Sequence, residues 1–336
     1  MAVYLYVLVP VALLILELLY FKIADRLNII DKPNQRSSHQ QITLRGGGII
    51  FPLSILLYFL IAPLSYPWFV LGLMIIAAIS FADDIKPQST LIRLILHIAA
   101  AGLLAHQAAL WPLGLGMVAL ALILVIGTIN AFNFMDGING ITSGYAFTVM
   151  AGLYLCNIHL NFIDPVYLYC LLMGNLVFAF FNFRKKARCF AGDVGSVSMA
   201  FCLLFPLVLL IKASGNFIFI LFFALYGVDT VLTLIHRLIK RENIFEAHRQ
   251  HLFQYLANEQ GWGHLRVTGL YMTVQMAITI MAYLLWKNGV VGLQIAMAAI
   301  ILAVLAAVHC WVKMRIISRI NRQKAPGLVQ QPEQVL

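Results

Sequence analysis

The clearest chemical signal in this sequence comes from aspartates that stand at the ends of apolar segments. Asp83 and Asp84 are adjacent, and neighbouring carboxylates repel each other unless a cation offsets their charge. Asp193 lies in the string Gly-Asp-Val-Gly-Ser, which can open a helix with a carboxylate beside backbone N–H groups. Mg²⁺ binds one or two carboxylates together with phosphate oxygens. Both patterns therefore favour a site for a metal–diphosphate complex, although a solvated helix cap explains the Asp-Asp pair taken alone.

A third polar segment has a regular spacing. Asn130, Asn133, Asp136 and Asn139 follow one another at three-residue intervals, which would place them on one face of a helix. Such a row could contact a base, a ribose or the water shell of a metal, with Asp136 as a second candidate metal ligand. Asparagines also link membrane helices by hydrogen bonds, but the acid and the nearby glycines favour a binding site.

A glycine triplet near the N-terminus is a candidate anion site. Thr43 and Arg45 precede three glycines at 46–48, and glycine backbone can bring N–H groups close to an anion. A tight turn that leads into the next apolar segment explains the same residues equally well.

The longest polar segment, at about 236–265, is basic. His248, Arg249 and His251 lie within four consecutive positions, and a planar guanidinium flanked by imidazoles could bracket a diphosphate. The alternative is that the loop only contacts anionic lipid.

Long apolar stretches separate these polar segments. The chain has 336 residues, of which 62% are hydrophobic and 11% charged, whereas a soluble domain has about 25% charged residues. A membrane-spanning helix needs about 20 apolar residues, and we predict an all-α polytopic transmembrane bundle. Its eleven predicted spans are 3–21, 47–63, 67–81, 92–108, 112–129, 139–156, 165–182, 195–211, 217–235, 266–286 and 290–312.

The distribution of basic residues predicts the orientation of this bundle. If successive loops lie on opposite sides, all of the 23 lysines and arginines except Lys212 and Lys287 fall on one side. The positive-inside rule makes that side cytoplasmic, with the N-terminus outside, the C-terminus inside and every candidate site residue on the cytoplasmic face. The net charge of +10 then reflects topology and does not indicate a nucleic-acid partner.

We expect residues 1–324 to form a single membrane domain and 325–336 to form a disordered cytoplasmic tail, because the tail is polar and contains proline. The five cysteines include no C-x-x-C pair, and we interpret them as reduced structural residues.

Together, the strings at 81–84, 133–137 and 190–196 resemble three signature loops of the polyprenyl-phosphate N-acetylhexosaminyl-1-phosphate transferase family, in the family's order. This is glycosyltransferase family 4, which includes the phospho-N-acetylmuramoyl-pentapeptide translocase. The resemblance extends from the first span to about residue 320. It implies a bundle of about ten or eleven helices, commonly a homodimer, with a cytoplasmic cleft that depends on Mg²⁺, for which Mn²⁺ can substitute.

The resemblance also implies roles for individual residues. It implies that Asp193 binds Mg²⁺, and that Asp83 and Asp84 serve the lipid phosphate. The residues implied to line the nucleotide side are Asn133, Asp136, Asn139, Asn182 and Phe190. The residues that match a glycine-rich loop bordering the same cleft are Thr43, Arg45, Gly46 and Gly47.

Two differences from the peptidoglycan enzymes of the family limit the expected substrate. The peptidoglycan enzymes carry a His-His-Phe-Glu-like string where this chain has His-Arg-Gln-His at 248–251. The string Arg-Ser-Ser-His at 36–39 is more similar to the enzymes that initiate O-antigen and related polysaccharides. Both differences argue against a muramoyl-pentapeptide substrate and leave the amino sugar open.

The expected reaction joins the sugar phosphate of a UDP-N-acetylhexosamine to undecaprenyl or another polyprenyl phosphate. It releases UMP at the bacterial inner membrane and begins a lipid-linked surface polysaccharide. In this reaction Asp83 could deprotonate the lipid phosphate. Direct attack and a covalent aspartyl intermediate both fit the sequence.

Another class of membrane protein, the ion-coupled secondary transporter, also combines many spans with carboxylates. Its sites usually lie near the bilayer midplane on internal repeats, whereas these acids cluster at one face and no repeat is evident. A scaffold without catalysis would leave the aspartate clusters unexplained.

Overall fold

The structure, a computed structural model, describes residues 4–31, 42–243 and 249–324. Within these residues, ten helices are long and apolar enough to cross a membrane, and Gly47–Ile61 forms a shorter apolar helix between the first two. This confirms the predicted all-α membrane bundle, and the eleven predicted spans correspond to the ten helices and the shorter one. His248, the string at 36–39 and the predicted tail lie outside the described residues.

The helices, of which α10 is a single short turn, follow one another along the chain. Their bounds are α1 (Leu5–Arg26), α2 (Ile50–Ile61), α3 (Pro67–Ile85), α4 (Thr90–Gln107), α5 (Leu115–Met135), α6 (Ile141–Leu160), α7 (Pro165–Asn182), α8 (Gly192–Ser214), α9 (Ala224–Ile239), α10 (Leu252–Gln254), α11 (His264–Asn288) and α12 (Val291–Lys324). Short 3₁₀ turns precede α2, α5 and α9, and β1 (Ile30–Asp31) pairs antiparallel with β2 (Thr43–Leu44).

Local sequence explains several helix starts. Pro67 and Pro165 occupy the first position of α3 and α7, where the missing N–H costs nothing and the fixed φ suits a helix. Asp164 caps α7, since its side chain accepts a 2.9 Å hydrogen bond from the N–H of Val166. These starts agree with the predicted breaks between spans.

Helix α8 forms the centre of the bundle. It packs against α2, α3, α5 and α6, and 83% of its apolar segment is buried, compared with 6% for α12. Its Phe201 and Phe205 stack on Phe69 of α3 with ring centroids 5.4 and 4.2 Å apart. Because α8 is enclosed by other helices, a side chain at its first turn has a well-defined position in the bundle.

The loops that carry the candidate site residues meet at one end of the bundle, which we call the site end. Arg45 contacts Asp84, and Asn139 donates to the carbonyl oxygen of Arg184 at 2.8 Å. At the other end, Tyr58 donates to Asp164 at 3.2 Å. The grouping agrees with the alternation of loops expected from the basic residues, while the side of the membrane that each end faces stays a prediction.

We predict that a cysteine at Ser89 and one at Ala213 will be labelled from opposite sides of the membrane. Ser89 is exposed at the site end, and Ala213 is exposed near the other end of α8. The background should be Cys310→Ser, since Cys310 is the exposed cysteine and the other four are buried. Labelling of both positions by the same impermeant maleimide in intact cells would contradict the topology.

Candidate active site

A buried carboxylate links the end of α3 to the start of α8. The side chain of Asp84 has no exposed surface and accepts hydrogen bonds from the N–H groups of Asp193, at 2.8 Å, and Val194, at 2.9 Å. A carboxylate is favourable at a helix N-terminus, where N–H groups lack partners within the helix. The left-handed φ of 71° at Gly192 brings the backbone so close that a Cβ there would lie 2.5 Å from the Asp84 carboxylate. Glycine is therefore required at this turn.

The next side chain, Asp193, is held between two arginines. Its Oδ1 lies 3.3 Å from Nη2 of Arg45, and its Oδ2 lies 3.7 Å from Nη1 of Arg93. Arg45 also donates from Nε to Asp84 at 2.6 Å, so one guanidinium contacts both acids. The Asn133 amide donates a 3.2 Å hydrogen bond to the hydroxyl of Ser196, three residues further along α8 than Asp193. The contacts with the arginines fix the orientation of a carboxylate that remains 21% exposed.

Asp83 completes the acidic cluster. It accepts hydrogen bonds from Nη1 of Arg93 and from the N–H of Gln88, both at 2.6 Å, and the same Nη1 lies 3.7 Å from Asp193. Two carboxylates that contact the same guanidinium repel each other when both are ionised. The arginines offset part of that repulsion, and a bound cation would offset more.

These side chains border a small polar cavity. The residues that line it are Ser80, Asp83, Arg93, His97, Asn130, Asn133, Asp193 and Val197. Around its mouth, the carboxylates of Asp83 and Asp193 lie beside the guanidinium groups of Arg93 and Arg45, and the buried Asp84 binds Arg45 from the side of α8. When all of these groups are ionised, one negative charge is left over.

The donor set fits a hard divalent cation. Asp193 and Asp83 offer carboxylate oxygens, the ligands that Mg²⁺ prefers, and the excess charge is negative. In the described part of the chain, no group of three or more His, Cys, Asp or Glu side chains is arranged to hold a metal. A cation bound here would need its remaining ligands from substrate phosphates and water.

The polar row from Asn130 to Asn139 differs from the expectation. The prediction that one helical face carries all four residues is wrong, because α5 ends at Met135. Only Asn130 and Asn133 lie on the helix, and the Asn130 amide is bonded to the carbonyl oxygen of Ile126, one turn earlier, at 2.8 Å. Sequence spacing alone did not reveal where the helix ends.

Asp136 lies just beyond α5 and accepts a 2.6 Å hydrogen bond from the hydroxyl of Thr142. Burial raises the pKa of the Asp136 carboxyl to about 7, and the charges of Asp193 and Asp84 act in the same direction. A bound cation would favour the ionised form of this carboxyl. Its role as a metal ligand stays a prediction.

The glycine triplet packs against α8. The N–H groups of Gly47 and Gly48 donate to the carbonyl oxygens of Phe190 and Ala191 at 2.9 and 3.1 Å, so they are not available to an anion. A Cβ on Gly48 would lie 2.2 Å from the Cα of Gly195. The triplet therefore allows two backbones to touch, and that Thr43, Gly46 and Gly47 bind substrate stays a prediction.

Two predicted site residues, Asn182 and Asn139, join loops to each other. The buried Asn182 accepts from the N–H of Gly140 at 2.7 Å and donates to the carbonyl oxygen of Cys189 at 2.8 Å. Asn139 is buried and is bonded to the carbonyl of Arg184. Both amides hold the 136–140 turn against the 184–191 segment. That they, and Phe190, also contact a nucleotide stays a prediction.

The loop between α9 and α11 is held in place by a buried acid that the sequence analysis missed. Asp229, buried in α9, accepts from the hydroxyl of Tyr271 at 2.7 Å and from the N–H of Leu252 at 3.1 Å. The ring nitrogens of His251 and His309 lie 3.2 and 3.3 Å from the same carboxylate. His251 is only 1% exposed, so in this arrangement it serves the loop itself. Diphosphate binding by His251 and Arg249 stays a prediction.

The loop between α9 and α11 covers the site end. Phe253 packs against Gly137 so tightly that a Cβ there would lie 3.0 Å from the ring, and the ring of His251 stacks near that of Phe134. A signal for Asp229 exists in the sequence, since an acid inside an apolar span is costly and usually functional. Arg93 also went unrecognised as a site residue, because it was counted only as a topological charge.

Comparison with known proteins identifies the family. Residues 66–213 match the model of glycosyl transferase family 4, and this range includes Asp83, Asp136 and Asp193. The resemblance to this family is therefore confirmed over this part of the chain. Members of the family generally use a divalent metal, in agreement with the donor set described above.

Family 4 relatives extend over most of the chain. An undecaprenyl-phosphate alpha-N-acetylglucosaminyl 1-phosphate transferase from Yersinia pestis is 27% identical over 90% of both chains. A probable undecaprenyl-phosphate N-acetylglucosaminyl 1-phosphate transferase from Bacillus subtilis (strain 168) is 21% identical over 70% of this chain and 71% of its own. A phospho-N-acetylmuramoyl-pentapeptide-transferase from Lactiplantibacillus plantarum is 34% identical over 26% of this chain and 28% of its own. These matches support the resemblance found in the sequence, and nothing in these comparisons favours a transporter.

We predict that Gly48→Ala will strongly destabilise the protein, by several kcal/mol, because the new methyl group would overlap the backbone of Gly195. Gly102→Ala is the matched control, since no atom lies within 4 Å of the position of its Cβ. Thermal unfolding in detergent measures both variants. Equal melting temperatures for the two would contradict the backbone contact between the glycine triplet and α8.

We predict that Asp84→Asn lowers the thermal stability more than Asp83→Asn does. Asp84 accepts two N–H groups of α8 without exposed side-chain surface, whereas Asp83 is 10% exposed. An asparagine presents one acceptor where two are used, so about 1–3 kcal/mol should be lost. Stability equal to that of Asp83→Asn in the same detergent would show that Asp84 does not anchor the helix.

Proposed function

We propose that the chain transfers N-acetylglucosamine-1-phosphate from UDP-N-acetylglucosamine to undecaprenyl phosphate and releases UMP. The observation that carries this proposal is the polar cavity in which Asp83 and Asp193 meet Arg93 at one end of a membrane bundle. The relatives from Y. pestis and B. subtilis, which are named as undecaprenyl-phosphate N-acetylglucosaminyl 1-phosphate transferases, support this choice of sugar and acceptor. The product would begin a lipid-linked cell-surface polysaccharide.

The reaction forms one phosphorus–oxygen bond and breaks another. An oxygen of the lipid phosphate forms a bond to the sugar-linked phosphorus, and the bond from that phosphorus to the UMP oxygen breaks. The bond electrons leave with UMP. Catalysis of such a transfer needs positioning and charge neutralisation more than covalent chemistry, and a cavity edged with fixed carboxylates and guanidinium groups supplies both.

The arginines would hold phosphates as well as acids. Arg45 and Arg93 are 33% and 31% exposed, so part of each guanidinium faces the cleft. A planar guanidinium can donate two parallel hydrogen bonds to phosphate oxygens. Both side chains can therefore contact the diphosphate while their bonds to the acids keep them in place.

Asp83 is our candidate for receiving the acceptor proton. It faces the cavity, whereas the oxygens of Asp84 are bonded to backbone N–H groups and to Arg45. The second pKa of a phosphate monoester lies near neutrality, so a weak base suffices. Asp84 then acts by positioning α8.

We propose Mg²⁺ as the cation, with Asp193 as its principal ligand and Asp136 as the second carboxylate. When bound, the ion would neutralise diphosphate charge and polarise the bond to the leaving UMP. The residues around it keep the carboxylates aligned through Arg45 and Arg93.

The site end would face the cytoplasm, where UDP-sugars are made, and the bundle would lie in the inner membrane of a bacterial cell. The excess of basic residues at this end supports that orientation. A homodimer, implied by the family resemblance, stays a prediction.

We predict that the purified protein, supplied with undecaprenyl phosphate and Mg²⁺, will release UMP from UDP-N-acetylglucosamine faster than from other UDP-sugars. Asp193→Asn should lower kcat by a factor of 100 or more, on the order expected for a lost metal ligand. Formation of the lipid product should be followed beside UMP release.

Two controls make this assay decisive. EDTA should abolish the activity of the parent protein, and excess Mg²⁺ should restore it. UMP release that persists in EDTA would exclude the metal role, and absence of lipid product with every UDP-sugar tested would exclude the proposed function.

A further inference from the structure

The polar cavity has a floor as well as a mouth. Its charged residues lie near the ends of their helices, whereas Ser80, His97 and Asn130 lie further into the bundle. His97 is seven residues past the first residue of α4, which corresponds to about 10 Å along the axis, whereas Arg93 lies about 5 Å along it. The floor is therefore made of neutral or weakly basic polar groups at membrane depth.

His97 is the titratable member of this floor, beside Ser80 and Asn130. Only 6% of the residue is exposed, and it borders the cavity. Buried polar side chains are nearly always hydrogen-bonded. Among residues 4–31, 42–243 and 249–324, none forms a hydrogen bond with the His97 ring. A histidine buried in this way and opening only onto a cavity has the character of a ligand contact.

The position of α4 indicates which ligand. The opposite face of this helix exposes Leu91, Ile95 and Ile98, so α4 separates the cavity from the lipid surroundings by the width of one helix. A substrate with a polyprenyl tail reaches the site through the membrane, whereas a nucleotide sugar reaches it from water. We therefore expect the floor, which lies at membrane depth, to face the substrate with the lipid tail and not the nucleotide sugar.

We propose that His97 is a substrate-contacting residue that hydrogen-bonds the phosphate of the polyprenyl acceptor. This inference rests on the proposed function and adds a residue to it. An imidazole suits the place because it can donate one hydrogen bond to a phosphate oxygen without adding a permanent charge inside the membrane. Arg93, one helical turn earlier, would contact the same phosphate from the mouth.

The first test is steady-state kinetics of His97→Leu, with both substrates varied. We expect the KM for undecaprenyl phosphate to rise about tenfold or more, as for a lost hydrogen bond to a charged group, and the KM for the UDP-sugar to stay within about twofold. His106→Leu is the matched control, because His106 is an exposed histidine at the far end of the same helix and should leave both constants unchanged.

Amide substitutions test the hydrogen bond itself. Glutamine can place an N–H near the position of Nε2, and asparagine can place one near Nδ1. We expect one of these two variants to restore most of the acceptor affinity. If neither does so in folded protein, a hydrogen bond from His97 is contradicted. These variants also replace the leucine variant if that one does not fold.

A binding assay separates this inference from the proposed reaction. Undecaprenyl phosphate should raise the melting temperature of the parent more than undecaprenol does, and His97→Leu should remove that difference. An inactive parent that keeps the phosphate-dependent shift would refute the proposed reaction and leave His97 supported. An active His97→Leu with parental acceptor KM, or a rise only in the donor KM, would overturn the assignment of His97 to the acceptor.

Discussion

The bonds from the Asp84 carboxylate to the first turn of α8 are the interaction on which the site depends. One buried side chain joins α3 to the most enclosed helix of the bundle, through two N–H groups and the Nε of Arg45. The result is that Asp193, the first acid of α8, points into the cavity at a fixed angle. Without an acceptor at this position, the N–H groups at the start of α8 would be buried without partners.

Glycines make that arrangement sterically possible. Gly192 allows the Asp84 carboxylate to approach, and Gly48 and Gly195 allow two backbones to touch. The cost in chain entropy of these glycines is balanced by enclosure of the start of α8 on several sides. Charge is then arranged around a rigid frame, with Arg45 and Arg93 on the two oxygens of Asp193. A site organised in this way can stabilise phosphate charge without reorganising during the reaction.

Much of this architecture could be predicted from the sequence, because membrane spans leave strong signals. The apolar stretches gave the helices, and the prolines at 67 and 165 marked helix starts. The aspartates at 83 and 193 were recognised by their neighbours, and the structure brings both beside Arg93. What the aspartates share in the sequence is a place at a helix end, which topology then carries to the same end of the bundle.

The surroundings of the individual residues, which separate their roles, could not be predicted. The sequence treats Asp83 and Asp84 as equivalent, but adjacent residues on a helix point in directions about 100° apart, so one faces the cavity and the other faces α8. The end of α5 at Met135 was missed because a polar row with helical spacing continues past it. Asp229 was missed because its partners, including Tyr271 and His309, lie far away in the chain.

In this account Asp84 does not bind the cation itself. It positions Asp193, the cation ligand, through its hydrogen bonds to the first turn of α8. A double-mutant cycle on Mn²⁺ affinity, measured by electron paramagnetic resonance on the purified protein with UMP present, tests it most directly. We expect Asp84→Asn to weaken Mn²⁺ binding about tenfold in the parent and to have no further effect in Asp193→Asn. An equal loss in both backgrounds would mean that Asp84 acts on the cation independently of Asp193, which would contradict this account.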